Sequence, residues 1–548
     1  MKAFAAAPLV LALLAPSAAQ LDPGSVSIGH ICRAESSFVA SKGPRKIEFL
    51  PGMGSGGFPV RTSSAEAQRW FDYGVQLYHA FYHEDSRLAF DKAAAADPDC
   101  ALCRWGQGLS HGPTQNFDIE AAEMKTALGF AEQALKASRT DEERRLSQAL
   151  VDRYKAPQNA RTEMAFAAAL LKAVAGDPAR VDIRLFAAEA LLTADRRGDH
   201  ASAQQAFAML QPILKAEPDN TAAIHYEIHA SEAAGHPADA LPYAERLAGL
   251  APGASHLIHM AAHTYIHVGG YEQVAALNAR ALDVDAAHAR ATDAPGVLGS
   301  PDYYPHNLSF GLAGAMMAGD GALAVKFADD AKAAFPPGGR ANIDYIFPRV
   351  MSAYGRYAPE RALALPEPKA SDRYAVAMWR YARGEALAAK GDAKAVLEES
   401  RQIGAALARN PDAKDKAADD TSLSVARIAQ QVLKGRAEML DGRPADAART
   451  FAGAAAMQEK FKWGMDPPPW WYPVRRSLAA ADLKAGRDAD ALREATASLK
   501  AWPGDGLALK VRALAEQQLG QEAAAKADGA AAQAAWHGAL SGVSIETI

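Results

Sequence analysis

One spacing constrains this chain more than any other: histidines recur at an interval of 34 residues. His225 and His229 stand in HYEIH, and His259 and His263 stand in HMAAH. The differences 259 − 225 and 263 − 229 are both 34. Pro218 and Pro252 repeat the interval, as do Gly486 and Gly520. About 34 residues is the length of a helix-turn-helix unit that cannot bury its apolar face alone and so stacks on copies of itself. Equivalent places in adjacent units lie side by side on one wall. The spacing therefore predicts four imidazoles on neighbouring helices.

The rest of the unit's signature recurs too. Trp70, Gly74, Phe90, Ala93 and Pro98 fall at the fourth, eighth, twenty-fourth, twenty-seventh and thirty-second places of a first copy. Gly435, Ala447, Phe451 and Ala454 fit the same template. The small residue lets two helices cross closely, and proline ends the second helix. This is the tetratricopeptide pattern. The expected fold class is all-α: a tetratricopeptide solenoid of helix hairpins wound into a right-handed superhelix. Repeats are expected over 65–340, carrying the histidines, and over 341–548. A solenoid accommodates 548 residues because each repeat packs only on its neighbours. The hydrophobic fraction is 49%, much of it alanine, which favours helix.

Three stretches interrupt the period. Residues 20–64 are rich in Gly, Pro and Ser and read as an extended arm. Residues 291–304 read as an insertion before a repeat opening at Pro305. Residues 460–471, KFKWGMDPPPWW, form an aromatic and proline loop. Long ordered loops are often functional. A strongly curled solenoid would bring this late loop toward the histidines, so Trp470 and Trp471, with Trp463, are candidate lid residues. The alternative is a plug between two repeats.

The first residues read as a secretory signal peptide: Lys2, an apolar stretch from Phe4 to Ala15 too short to span a bilayer, and small residues before a cleavage expected near Ala19. The expected location is exported, periplasmic or extracellular, with no membrane span. Net charge is −5 and the isoelectric point about 6.3, with both signs interspersed, so nucleic acid is not an expected partner. Of the cysteines Cys32, Cys100 and Cys103, the last two form a CxxC followed by Arg104, which excludes a haem-attachment motif. A structural disulfide and buried free thiols both remain open.

In such solenoids the first helix of each repeat lines the concave groove, and its second, fifth, ninth and thirteenth places share one inward face. With repeats starting at Thr221, Ser255 and Pro305, that stripe holds His225, His229, His256, His259, His263, His267 and His306. These are seven of the 15 histidines in the chain. Histidines at i and i+4 can chelate one ion. The glutamate of a HExxH protease is missing from both segments, so zinc proteolysis is not indicated. An all-imidazole site suits copper, zinc or iron, and copper heads the affinity order, so copper is favoured. Three histidines per metal on antiparallel helices is also the ligand count of coupled dicopper sites, by analogy alone. The candidate ligands are His225, His229, His256, His259, His263 and His306. Candidate auxiliary groups are Glu232, His267, Tyr304 and Asn307, with Tyr265 and Tyr303 nearby in sequence. His83, Glu84 and His111 form a second polar group around the first repeat. Without a metal, the same stripe would serve as a neutral hydrogen-bonding groove for a polar ligand.

The segments YHEDSRLAFDKAAAADPDCALCRWGQGLSHGPTQN, HYEIHASEAAGHPADAL, GASHLIHMAAHTYIHVGGY, YYPHNLSF and PPPWWYPVR resemble a largely uncharacterised family of exported or cytosolic bacterial tetratricopeptide proteins with His-rich motifs. The resemblance spans about residues 70 to 480. It implies that His83, His225, His229, His256, His259, His263, His306 and Asn307 form a functional set. Ala261 and Ala262 depart from the Pro-Ser usual there. Ser309 stands where a third stacked histidine would fall.

The function expected is metal-dependent chemistry, oxidative or less readily hydrolytic, on a small molecule or peptide held in the concave groove. The rival is a non-catalytic scaffold that binds a peptide or partner protein. A scaffold groove would carry Asn, Lys and Arg, whereas the inner places here are His and small residues.

Overall fold

A computed structural model describes residues 46–292, 303–334, 343–408, 420–461 and 466–548. The signal-peptide segment, Cys32, Trp463 and most of the 291–304 insertion lie outside the described residues. Among the described residues the chain is all-α, with 24 α-helices and three short 3-10 turns. The helices pair into hairpins that stack as a tetratricopeptide solenoid.

Local chemistry explains the hairpins. Side chains of Ser64, Thr140, Asn159, Asn220 and Asp505 accept backbone N–H groups at helix starts, satisfying donors that the helix cannot. Glycine in the left-handed region closes the turns at Gly442, Gly486 and Gly520. Within three hairpins a glycine of the first helix receives a phenylalanine of the second. A Cβ on Gly74, Gly311 or Gly435 would lie 2.8, 2.5 or 2.6 Å from the ring of Phe90, Phe327 or Phe451. The differences 90 − 74, 327 − 311 and 451 − 435 are all 16.

The apolar core divides along the helix Ser255–Val268. One buried cluster runs from Met53 to Ala261 with Tyr303, and a second begins at Ala262 and reaches Trp502. The helix that carries three of the six candidate ligands is thus shared by both. Ala261 and Ala262 leave it unbroken, and Gly269 caps it in the left-handed region at φ 85°.

The solenoid closes on itself around this helix. The arm residues from 46 to 64 are extended and strap the early helices. Ser55 and Thr221 exchange hydrogen bonds, Ser55 N–H to Thr221 Oγ1 at 2.7 Å and Thr221 N–H to Ser55 Oγ at 3.1 Å. The Gly253 N–H donates to the Gly52 carbonyl at 2.9 Å. From the other end, a Cβ on Gly269 would lie 2.2 Å from the Pro503 carbonyl, and the His537 N–H donates to the Ala318 carbonyl at 2.7 Å. The corner between helices Ala65–His79 and His83–Ala96 pushes into the same space, with the Tyr82 hydroxyl 2.8 Å from Ser255 Oγ. Around the histidines the concave face is filled by the chain's own segments.

Candidate metal centre

Three consecutive first helices carry the six candidate ligands. His225 and His229 lie on helix Thr221–Ala233, His256, His259 and His263 on Ser255–Val268, and His306 on Tyr304–Ala318. All six are at most 3% exposed. They gather as two triads, His225–His229–His256 and His259–His263–His306, each with its ligand atoms within 4.8 Å of one another. The grouping differs from the quartet suggested by the 34-residue spacing. Each triad takes an i, i+4 pair from one helix and a third imidazole from the first turn of the next. His256 and His306 are therefore structural equivalents, and the second triad repeats the first one repeat later. The triads adjoin: His256 and His259, and His229 and His263, have ring centroids 5.8 Å apart.

Hydrogen bonds set the tautomers. Asn278 donates its amide to the Val274 carbonyl at 2.8 Å, so its Oδ1, 2.7 Å from His259 Nδ1, is an acceptor and Nδ1 carries the proton. Glu232 Oε1 accepts from His263 Nδ1 at 3.2 Å. The His79 carbonyl accepts from His225 Nδ1 at 2.7 Å. In the neutral form of these three rings the lone pair lies on Nε2. His259 Nε2 and His263 Nε2 nevertheless face each other at 3.0 Å. His306 Nε2 is 3.4 Å from His263 Nε2, and His256 Nε2 is 3.1 Å from His225 Nε2.

Protonation is disfavoured at four of the six imidazoles. Burial, against the smaller opposing effect of the His79 carbonyl, lowers His225 to about 3. Burial and then the neighbouring imidazoles hold His256, His259 and His306 well below the usual histidine range. Burial pushes the Glu232 carboxyl up, but His263 and His267 outweigh it and leave the carboxylate lowered and charged. The result is a nest in which His225, His256, His259 and His306 are held neutral, with the Glu232 carboxylate behind His263.

The other sequence candidates are distributed around this nest. Glu232 bonds His263, and His267 Nε2 lies 3.4 Å from the same oxygen. Asn307 donates to Asp285 Oδ2 at 3.2 Å, and Asp285 also takes the Ser255 hydroxyl, so one buried carboxylate links the neighbours of His256 and His306. Tyr303, rather than Tyr304, packs on the cluster, 4.4 Å from His256 between ring centroids. The Tyr303 hydroxyl accepts from Asn116 at 2.9 Å. His83 is buried beside Phe81 at 5.2 Å. Glu84 pairs with Arg87 at the surface, and His111 packs on Phe130. The late loop does reach the site, through other residues than expected. Asp466 Oδ1 is 3.5 Å from His306 Nδ1. Buried Arg349 ties Ser309 to the Pro467 and Pro468 carbonyls, which gives the serine at the third-histidine place a structural role. Trp470 packs on Tyr381 and Tyr472, and Trp471 donates to the Tyr381 hydroxyl at 3.2 Å and lies under Arg356 and Arg476, so among the described residues their ring contacts are with tyrosine and arginine.

Asn278, Asp285, Asp466 and Phe81 carry no sequence signal for a role here. Each comes from a segment whose distance to the histidines depends on how the hairpins stack. Cys100 and Cys103 form a disulfide, which decides between the two states left open. Among the described residues no helix is long and apolar enough to cross a membrane.

No protein-family model matches the chain, and no curated protein matches it. Among solved structures it is similar to the crystal structure of yeast Tom70, at 11% identity over 83% of this chain and 96% of that one, with a TM-score of 0.30. It is also similar to the human IFIT1 dimer with m7Gppp-AAAA, at 12% identity over 87% and 91%, TM-score 0.29. A third similarity is to the P58(IPK) TPR domain, at 13% identity over 83% and 99%, TM-score 0.23. Similarity at this level bears on neither the site nor its chemistry.

Proposed function

We propose that the two triads hold a pair of transition-metal ions, copper in preference to zinc or iron, and that the centre serves oxidative chemistry on a small molecule. One observation carries the reading: His259 Nε2 and His263 Nε2 stand 3.0 Å apart with both Nδ1 protons committed to Asn278 and Glu232. A cation held between them would take both nitrogens as ligands. The acceptors behind His225, His259 and His263 are what metal-bound imidazoles ordinarily have, since they fix ring orientation and raise ligand basicity. Three neutral imidazoles per ion leave an open position for a small ligand.

The enclosed site favours a small molecule over a peptide, because the chain's own segments fill the concave face. An exported location belongs to the same reading. The Cys100–Cys103 disulfide supports it, since disulfides persist in oxidising compartments. The direct test is titration of metal-stripped protein with copper and with zinc by calorimetry, backed by elemental analysis. Two equivalents per chain are expected. His225→Ala and His259→Ala should each remove one equivalent, and the double variant both. Undiminished binding in the double variant would falsify the proposal. Oxygen uptake by the copper-loaded protein, lost in both single variants, tests the oxidative part.

A further inference from the structure

Phe81 stands at the corner between the first two helices with a left-handed backbone, φ 60°. Among the described residues it is the non-glycine residue with positive φ. That conformation costs a phenylalanine about 1–2 kcal/mol and persists only where the surroundings impose it, often at ligand clamps and switches. The ring is 2% exposed and is held entirely by the first triad and its neighbours. It lies within 21° of parallel to His256 and His229, at centroid distances of 4.9 and 6.0 Å. It meets His225 at a steep angle at 4.4 Å, and Tyr303 flanks it at 6.1 Å. The space is thus a flat slot shaped to one six-membered ring.

The slot has a polar end. His83 lies 5.2 Å from Phe81 and is walled in by Tyr78 and Phe117. It is 8% exposed, and neither of its ring nitrogens meets a hydrogen-bond partner. A buried imidazole with nothing to bond is costly, and natural structures rarely keep one without a use. A strained aromatic plug and an unsatisfied imidazole beside it are independent observations that point to one occupant.

We propose that Phe81 is a placeholder in a binding slot for a planar aromatic ligand with one polar ring substituent, of the phenol class, and that His83 hydrogen-bonds the substituent. Entry of the ligand rotates Phe81 outward and relaxes its backbone. The ligand ring takes the position against His225, His229 and His256, and its hydroxyl satisfies His83. The proposal deepens the metal-centre reading by naming a substrate class. It rests on that reading only for any chemistry, because the slot is defined by the protein alone.

The test uses phenol, with cyclohexanol as the non-planar control and benzene as the control without a hydroxyl, on the metal-free full chain by calorimetry. Phe81→Gly suits the left-handed backbone and empties the slot. Phenol should bind this variant about tenfold or more tightly than the wild type, because the plug no longer competes. Cyclohexanol should bind at least about tenfold more weakly than phenol, since the slot is flat. Adding His83→Leu should erase the preference for phenol over benzene. If Phe81→Gly does not fold, Phe81→Asn, which also tolerates this backbone, takes its place. Phe81 in the phenol-soaked wild-type protein should leave the slot, as seen by crystallography. Equal phenol affinity with and without the Phe81 ring, no preference over cyclohexanol, or an unmoved Phe81 at saturating phenol each overturns the placeholder. Copper titration of the same variants separates the two ideas: two equivalents of copper without phenol binding leave the metal centre standing and end the slot.

Discussion

At the scale of single residues, Asn278 does more for the site than its place in the sequence suggests. Its amide is committed to the Val274 carbonyl, so its oxygen forces the His259 proton onto Nδ1. Asn278→Leu removes that acceptor without touching a ligand atom. Affinity for one of two metal equivalents is expected to fall roughly 10–100-fold while the other is unchanged, as calorimetry would resolve. Acid should act on the metal-free protein through the buried imidazoles. Burial, and then the Arg87 charge, lowers His83 to about 3, against about 6.5 when unfolded. Between those values the unfolded chain binds a proton that the folded one refuses, so stability falls as pH falls. Each such histidine contributes about 1.4 kcal/mol per pH unit within this window. Urea midpoints from pH 7 to 5 should drop in the wild type and drop less in His83→Phe. Equal slopes would mean that His83 is solvated in the folded state.

At the scale of the element, a glycine and a phenylalanine decide how closely two helices cross in three of the hairpins. Gly311 and Gly435 receive Phe327 and Phe451 at nearly the same hypothetical Cβ distance, 2.5 and 2.6 Å. Alanine at either position overpacks the crossing and should cost about 1–3 kcal/mol in denaturant unfolding. Only Gly311 shares a helix with His306. Gly311→Ala should therefore weaken metal binding at the second triad, whereas Gly435→Ala should leave both equivalents intact. Loss of binding in both variants would show that the centre reads global stability and not the pose of one helix.

At the scale of the whole molecule, the solenoid is a ring of supports around its sixth and neighbouring hairpins. The arm holds the starts of the Thr221 and Ser255 helices through Ser55 and Gly52. The late repeats press on the ends of the Ser255 and Tyr304 helices through Pro503 and His537. Segments near residues 52–55 and 503–537 thus converge on the helices that carry the histidines. Removing residues up to 60 should weaken the His225–His229–His256 site more than its neighbour, seen as loss of one high-affinity equivalent ahead of any change in helix content by circular dichroism. Simultaneous loss of both equivalents would place the arm's effect on the fold as a whole.

The 34-residue interval by itself determined the hairpin repeat, the glycine turns and the quartet His225, His229, His259 and His263, and the repeat frames added His256 and His306 as candidates, because these follow from contacts within one repeat or between adjacent ones. Periodicity also placed Glu232 one turn beyond His229, close enough to be named. It did not determine which imidazoles gather into one triad. That depended on the offset between successive first helices, which sets a pair from one beside the opening turn of the next. Nor did it mark Phe81, Asn278, Asp285 or Asp466, or show that the groove is filled. Those contacts join residues as far apart as His306 and Asp466, and they follow from the rotation accumulated over many stacked hairpins. A small rotation per repeat leaves no trace in local residue choice, so only the assembled superhelix decides what meets the histidines.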